Sequence, residues 1–140
     1  MKKSTEELLT ILKNTSNLDT YLSQESESVT HASLPDYLKD LCTRKNISRA
    51  QCIEHSGLNR TYGYQIFSGD KHPERNKLLA LCFGFPLSFE ETQSLLKATG
   101  YPILYAKDRR DSAIIFALQR NYTVIDTNEL LFEMGMELLG

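Results

Sequence analysis

The chain has 140 residues, of which 41% are hydrophobic and 24% are charged, and its formal net charge is −2. This length and composition are typical of a globular protein with one domain, or with one small domain and an extension. No run of about 18 apolar residues is present to span a membrane, and acidic residues with Lys13 interrupt the apolar stretch near the start, which excludes a signal peptide. We therefore expect an intracellular, cytoplasmic protein.

Residues 1–33 form a polar N-terminal arm. Ser4 and Glu7 have the spacing of a capping box, and the apolar residues at positions 8, 9, 11 and 12 predict a short amphipathic helix. A second short helix is expected near residues 19–24. The arm either packs on the rest of the chain or binds a partner.

Residues 34–99 carry the signals of five helices, so the predicted fold class is all-α. Pro35 suits the first turn of the first helix, Ser48, Asn59 and Ser88 are N-caps, and Gly57 ends a helix. The five predicted helices cover residues 34–46, 49–56, 59–67, 74–83 and 88–100, and the wide apolar stripe of the fourth predicts that it is largely buried.

Residues 100–140 form a C-terminal extension. A charged cluster at residues 107–111 leads into a predicted helix over 112–119, and residues 122–125 suit a short extended link. Asp126 and Glu129 predict a capping box that starts a last helix reaching Leu139. Both helices are too apolar to stand alone in water, so they pack on the preceding helices, on each other or on a second copy of the chain. Residues 112–139 are the hypothesised surface for a homodimer or a partner.

The predicted helices at 49–56 and 59–67 form a helix-turn-helix, because little more than Gly57 and Leu58 separates them. Such a turn pushes the second helix outward, where its first turn can enter the major groove of double-stranded DNA. Over residues 34–99 the chain resembles the DNA-binding domain of the Xre, or Cro/C1-type, transcriptional regulators. The residues that carry this resemblance are Ile47-Ser48, Gly57-Leu58, Ile66, and Gly69 followed by Pro73. The resemblance implies a five-helix bundle and a sequence-specific regulator, and Xre-like regulators often dimerise through elements outside the helix-turn-helix.

The same resemblance implies contacts with DNA, residue by residue. The implied phosphate contacts are Arg49, Asn59, Tyr62 and Lys71, and the implied base contacts are Arg60, Thr61 and Gln65. Phosphate contacts fix the register, whereas an Arg can read guanine and a Gln adenine. Residues 34–75 have seven Lys or Arg and five acids, an excess of +2 that has the expected sign but also suits an ordinary solvated surface.

Three positions depart from the Xre pattern. Ile53 stands where the family usually has a small residue, and Gly63 where it has a β-branched residue. Phe67 replaces a Glu that commonly pairs with an Arg at the position of Cys42. Because replacing both partners of a buried ion pair by apolar groups can be neutral, Cys42 and Phe67 predict an apolar substitute for that pair. Gly63 within a helix costs about 1 kcal/mol relative to Ala, which indicates either a close packing contact or a shortened helix.

Tyr62 and Tyr64 beside Gly63 support a different hypothesis. Two aromatic side chains around a flat glycine patch on an exposed helix make an anchor for another protein, because Tyr buries a large area and keeps a polar tip. In this alternative the chain is a non-catalytic protein–protein interaction module on a helix-turn-helix fold.

No pattern in the sequence predicts catalysis, a cofactor or a metal site. His31, His55 and His72 have no Cys, Asp or Glu partner at metal-ligand spacing, and no Gly-rich phosphate loop or nucleophile motif is present. The cysteines at positions 42, 52 and 82 have no C-x-x-C spacing and lie in apolar helical patterns, so we expect buried, reduced thiols. The chain is therefore predicted not to be an enzyme.

Overall fold

The computed structural model describes residues 3–14 and 31–140, and all regular secondary structure in these residues is helical. The helices are α1 Thr5–Lys13, α2 Leu34–Lys45, α3 Arg49–Ser56, α4 Arg60–Ser68, α5 Arg75–Gly84, α6 Phe89–Ala98, α7 Arg109–Gln119 and α8 Val124–Glu133. The prediction of an all-α chain is confirmed for this part, and the helix expected near residues 19–24 lies outside it. None of the helices in the described residues is long and apolar enough to cross a membrane.

The chain divides into two units between residues 31 and 32, with α1 in the first unit and α2 to α8 in the second. Helix α1 begins where the sequence predicts, because the Ser4 hydroxyl accepts a hydrogen bond from the backbone N–H of Glu7 at 3.2 Å. None of its residues is buried, and Leu9 is 61% exposed.

Local capping signals determine where α3 and α4 begin and end. The Ser48 hydroxyl accepts from the Gln51 backbone N–H at 3.1 Å, and the Gln51 side chain accepts from the Ser48 N–H at 3.0 Å. Gly57 ends α3 with a φ of 73°, a value that favours glycine. The Asn59 side chain then accepts from the Tyr62 backbone N–H at 3.0 Å and caps α4. The predicted bounds of both helices are confirmed to within one residue.

Helix α5 forms the centre of the second unit, since every residue from Leu78 to Gly84 is buried. It packs closely against α3. A Cβ on Gly84 would lie 2.3 Å from the Cys52 carbonyl oxygen, so only glycine allows the two backbones to approach this closely. The sequence predicted that this helix would be largely buried, and that prediction is confirmed.

Helices α7 and α8 pack inside the second unit. Ile114, Leu118 and Leu131 belong to the same apolar core as α5, and α8 contacts both α5 and α7. The sequence left three packing partners open for these helices, and packing on the preceding helices and on each other is present in the structure.

The predicted starts of α7 and α8 were wrong, whereas α7 ends at Gln119 as predicted. Helix α7 begins at Arg109 rather than residue 112, because the Asp108 carboxylate accepts from the Asp111 N–H at 2.8 Å. The extended link predicted over 122–125 is shorter than expected, because α8 already begins at Val124, and Asp126 is not an N-cap. Instead Thr123 caps α8, its hydroxyl accepting from the Asp126 N–H at 3.1 Å.

Helix α8 also ends at Glu133 rather than near Leu139, and Gly135 follows with a φ of 69°. The residues after Gly135 form a tail that polar side chains hold in place. The Asn128 side chain accepts from the Leu139 N–H at 2.7 Å and donates to the Leu139 carbonyl at 3.2 Å. Asn76 donates to the Leu138 carbonyl at 2.9 Å, and Arg110 donates both to Asn76 and to the Glu137 carbonyl.

Candidate functional site

The exposed start of α4 is the centre of the candidate site. Arg60 and Thr61 are its first two residues, and both side chains are exposed. The first N–H groups of a helix lack intrahelical acceptors, and the aligned peptide dipoles make this end positive. The sequence of α4 contains no acidic residue that would offset this charge. The start of α4 is therefore suited to an anion or to an electron-rich group.

Two cations lie over aromatic rings of α4. The guanidinium carbon of Arg49, the first residue of α3, lies 5.6 Å from the centroid of the Tyr64 ring. Lys77 of α5 places its Nζ 5.3 Å from the centroid of the Tyr62 ring. Each arrangement is within the range of a cation–π interaction, so the rings hold the cations beside α4.

Lys77 is a residue that the sequence analysis missed. It directly precedes the apolar run that forms the buried part of α5, and the sequence predicts that this helix is largely buried. Its one signal in the sequence is a positive charge at the edge of the apolar run, which by itself does not show which element the amine approaches.

A cleft of about 370 Å³ opens between α3 and α4. Arg60 and Tyr64 line it from α4, together with Leu58 of the turn. The α3 residues that line it are Ala50, Ile53 and Glu54. Glu54 is exposed, so the cleft combines apolar walls with one carboxylate and one guanidinium.

The remaining predicted contacts have different settings. Asn59 is exposed, and its side-chain oxygen is used in capping α4. Gln65 is half-buried, and its carbonyl accepts from the Lys71 backbone N–H at 3.1 Å. The Lys71 side chain is exposed in the loop after α4. Thus the structure brings Arg49 and Arg60 to the two helices that line the cleft, while Lys71 lies beyond the end of α4.

Two basic residues near Lys71 are engaged inside the chain. His72 stacks on Tyr101 with ring centroids 5.4 Å apart. Arg75 donates to both carboxylate oxygens of Asp111, at 3.0 and 2.9 Å, and also to the carbonyls of Pro102 and Ile103. Burial raises the pKa of Asp111, but the hydrogen bonds and charge of Arg75 outweigh that effect and hold the pKa below its ordinary value. Arg75 therefore supports the fold rather than the candidate site.

Gly63 does not form an exposed patch between two tyrosines, so that part of the alternative hypothesis was wrong. It is buried and faces Ile53 of α3. A Cβ at position 63 would lie 2.6 Å from Cγ2 and 2.9 Å from Cγ1 of Ile53. Helix α4 continues to Ser68, so close packing rather than a shortened helix explains the glycine. The large residue at 53 and the absent side chain at 63 therefore compensate each other, because Ile53 occupies the space that a side chain at 63 would need.

Phe67 and Cys42 both pack against the core. Phe67 is 7% exposed, and its ring centroid lies 6.3 Å from that of Phe85. Cys42 is half-buried beside the core residues. Burial raises the pKa of the Cys42 thiol, while the charge of Arg49 opposes the increase.

All three cysteines are free thiols, as the sequence predicted, but only Cys52 and Cys82 are fully buried. Burial raises the pKa of Cys82 to about 12 and also raises the pKa of Cys52. Neither buried thiol has the lowered pKa that a nucleophile needs.

Comparisons of the chain with protein-family models, with curated proteins and with solved structures found no match. The resemblance to the Xre regulators therefore stays a prediction that depends on the residues of the chain itself.

Proposed function

We propose that this chain is a sequence-specific DNA-binding transcriptional regulator of the Xre type, with α4 as its recognition helix. The observation that carries the proposal is the start of α4, where Arg60 and Thr61 are exposed at a positively polarised helix end. In this reading α3 and α4 are the two helices of a helix-turn-helix, joined by residues 57–59.

The setting of the cations supports this reading. Arg49 and Lys77 lie beside Tyr64 and Tyr62, so both sides of α4 carry a positive charge. Cations at these positions suit the phosphates that border a major groove, and the Asn59 cap leaves Arg60 and Thr61 to contact bases. Lys71 and Gln65 are then a further phosphate contact and a further base contact.

The departures from the Xre pattern are compatible with the proposal. Ile53 fills the space that Gly63 leaves, and Phe67 with Cys42 supplies apolar packing in place of an ion pair. Both changes concern buried or half-buried packing positions. The proposed DNA contacts are on the outside of the helix pair, so the changes leave those residues free to act.

Binding to a two-fold operator requires two copies of the chain, with their recognition helices about 34 Å apart. Association in solution or on the operator is part of the proposal, and sedimentation equilibrium at micromolar concentration, with and without operator DNA, tests it. The proposal keeps the cytoplasmic location that was expected from the sequence.

The direct test is binding of the purified chain to random-sequence and genomic duplexes between about 50 and 200 mM salt. Arg49→Ala and Lys77→Ala should weaken all sequences alike and reduce the salt slope by about 0.9 for each lost phosphate contact. Arg60→Ala should relax the sequence preference. Lys97→Ala, which removes an exposed cation of α6, is the matched control and should change neither property. No binding at low salt, or an equal loss in Lys97→Ala, would refute the proposal.

The cleft beside Tyr64 favours the protein-interaction module as a second candidate function. Leu58, Ile53 and Tyr64 give it apolar walls that suit a side chain of another protein. Glu54 distinguishes the two candidates, because its carboxylate repels phosphate but can anchor a basic peptide. Glu54→Gln should strengthen DNA binding if the regulator proposal is right, and it should weaken partner binding if the cleft takes a protein.

A further inference from the structure

The outward face of α8 exposes two large apolar side chains. Ile125 is 72% exposed and Phe132 is 76% exposed. They are seven residues apart, which places them on the same side of the helix, two turns from each other. The opposite side of α8 is buried through Val124, Thr127 and Leu131. The exposed residues therefore form an apolar stripe on a helix whose other side is fixed to the core.

Acidic side chains run along one edge of this stripe. Glu129 lies between Ile125 and Phe132 along the helix axis but to one side of both in the helical projection, and Asp126 and Glu133 lie beyond it on that side, all three exposed. Tyr122 and Leu130 complete a cleft of about 350 Å³ with these three acids. Residues 121–140 contain four acidic residues and no Lys or Arg.

We propose that this face of α8 binds a basic amphipathic helix of a partner protein. Docking of one helix on another uses apolar anchors at spacings of three, four and seven residues, and Ile125 with Phe132 provides such a pair. The adjacent carboxylates supply charge-assisted hydrogen bonds to Lys or Arg and give the surface a preference for a basic partner. Because the buried side of α8 and the Asn128 contacts with Leu139 already hold the helix, binding does not need to order it first.

The charge argues against a second copy of this chain as the occupant. A two-fold pairing of α8 with α8 brings the carboxylates of one copy toward those of the other, and like charges across an interface are unfavourable. The same charge excludes the phosphate backbone of DNA. The proposal is thus independent of whether α4 binds DNA.

The test uses the full chain and two labelled peptides in fluorescence anisotropy. Both peptides are amphipathic helices with Leu on one face, and the flanking positions are all Lys in one and all Glu in the other. The wild-type chain should bind the Lys peptide at least about tenfold more tightly than the Glu peptide. Phe132→Ser should abolish that binding, and Glu129→Lys with Glu133→Lys should reverse the preference.

Two control variants separate this face from the rest of the surface. Ile103→Ser removes a 49% exposed apolar side chain elsewhere, and Asp70→Lys with Glu90→Lys makes the same change in net charge outside α8. Both should bind the Lys peptide like the wild type, and circular dichroism verifies that every variant is folded. The proposal is overturned if the controls lose binding equally, if both peptides bind alike, or if sedimentation shows a dimer that Phe132→Ser dissociates.

Discussion

The close packing of Ile53 on Gly63 leads to a prediction about stability that can be tested only by substituting both residues, singly and together. Gly63→Ala places a methyl group where Cγ2 and Cγ1 of Ile53 lie within 3 Å of the new Cβ. A β-branched side chain in a helix has one strongly preferred χ1 rotamer, so Ile53 has little freedom to move away. If Ile53 is first shortened to Ala, those carbons are gone and the methyl group at 63 has space.

The magnitudes follow from the burial and the distances. Gly63→Ala gains about 1 kcal/mol of helix propensity but incurs an overpacking cost of about 1 to 3 kcal/mol, so it should be neutral or destabilising by up to about 2 kcal/mol. Ile53 is 2% exposed, and Ile53→Ala should cost about 2 to 5 kcal/mol. In that background Gly63→Ala should stabilise by about 1 kcal/mol, since the clash is absent. The coupling free energy between the two sites is therefore favourable by about 1 to 3 kcal/mol.

Urea unfolding of the four chains, followed by far-UV circular dichroism, measures this coupling as a double-mutant cycle. Gly84→Ala is the matched control, because its new Cβ meets the Cys52 carbonyl oxygen, a backbone atom that shortening Ile53 does not remove. It should destabilise equally with Ile or Ala at position 53. If Gly63→Ala stabilises the wild-type chain by the full propensity gain, or if the cycle is additive, Ile53 does not account for the glycine.

Three further predictions concern the packing around this core. Asp111→Asn should lower the free energy of unfolding by about 2 to 3 kcal/mol at neutral pH, because Arg75 is only 24% exposed. The pKa of Asp111 is lowered in the folded chain, so the stability that its carboxylate contributes is lost as the pH falls from about 3.9 through that lower value. In unfolding titrations the difference in stability between variant and wild type should therefore disappear in acid. Ellman's reagent should modify only Cys42 in the folded chain and all three thiols in urea, and modification of a second thiol before unfolding would contradict the burial found here. Asn128→Ala removes two hydrogen bonds to Leu139 and should expose its amide to hydrogen exchange, at a cost of about 1 to 3 kcal/mol, whereas unchanged protection would show that the tail does not depend on Asn128.

The start of a helix was predictable from the sequence where a single capping signal stood before it. Ser48, Asn59 and Ser88 each have one register in which their side chain meets a free N–H, and the helices begin there. At α8 two signals overlap, with Thr123 three residues before Asp126 and Asp126 three residues before Glu129. The earlier register makes Val124, which is 7% exposed, the first helical residue, and that burial depends on tertiary packing. Local sequence therefore did not choose between the two.

The candidate site was predictable only in part, for a similar reason. Arg49 and Arg60 directly follow the N-cap residues Ser48 and Asn59, so the sequence alone places both cations at helix starts. The position of Lys77 beside Tyr62 depends on how α5 lies against α4, and no pattern within either helix specifies that. The direction in which Gly63 faces depends in the same way on the rotation of α4 about its axis. Its small size was evident, but the Ile53 side chain that requires it became evident only from the structure.

The residues that depart from the Xre pattern affect the packing of the helices, whereas the regulator proposal depends on exposed residues. Ile53, Gly63 and Phe67 are all buried, so they affect how α3 and α4 are supported. The regulator proposal instead assigns DNA recognition to the exposed Arg60 and to the cations beside α4. A family pattern read mostly from core positions is therefore weak in this chain, although the surface positions on which the regulator proposal depends have basic and polar side chains. For this reason the salt dependence of Arg49→Ala and Lys77→Ala is stronger evidence about function than any degree of agreement within the core.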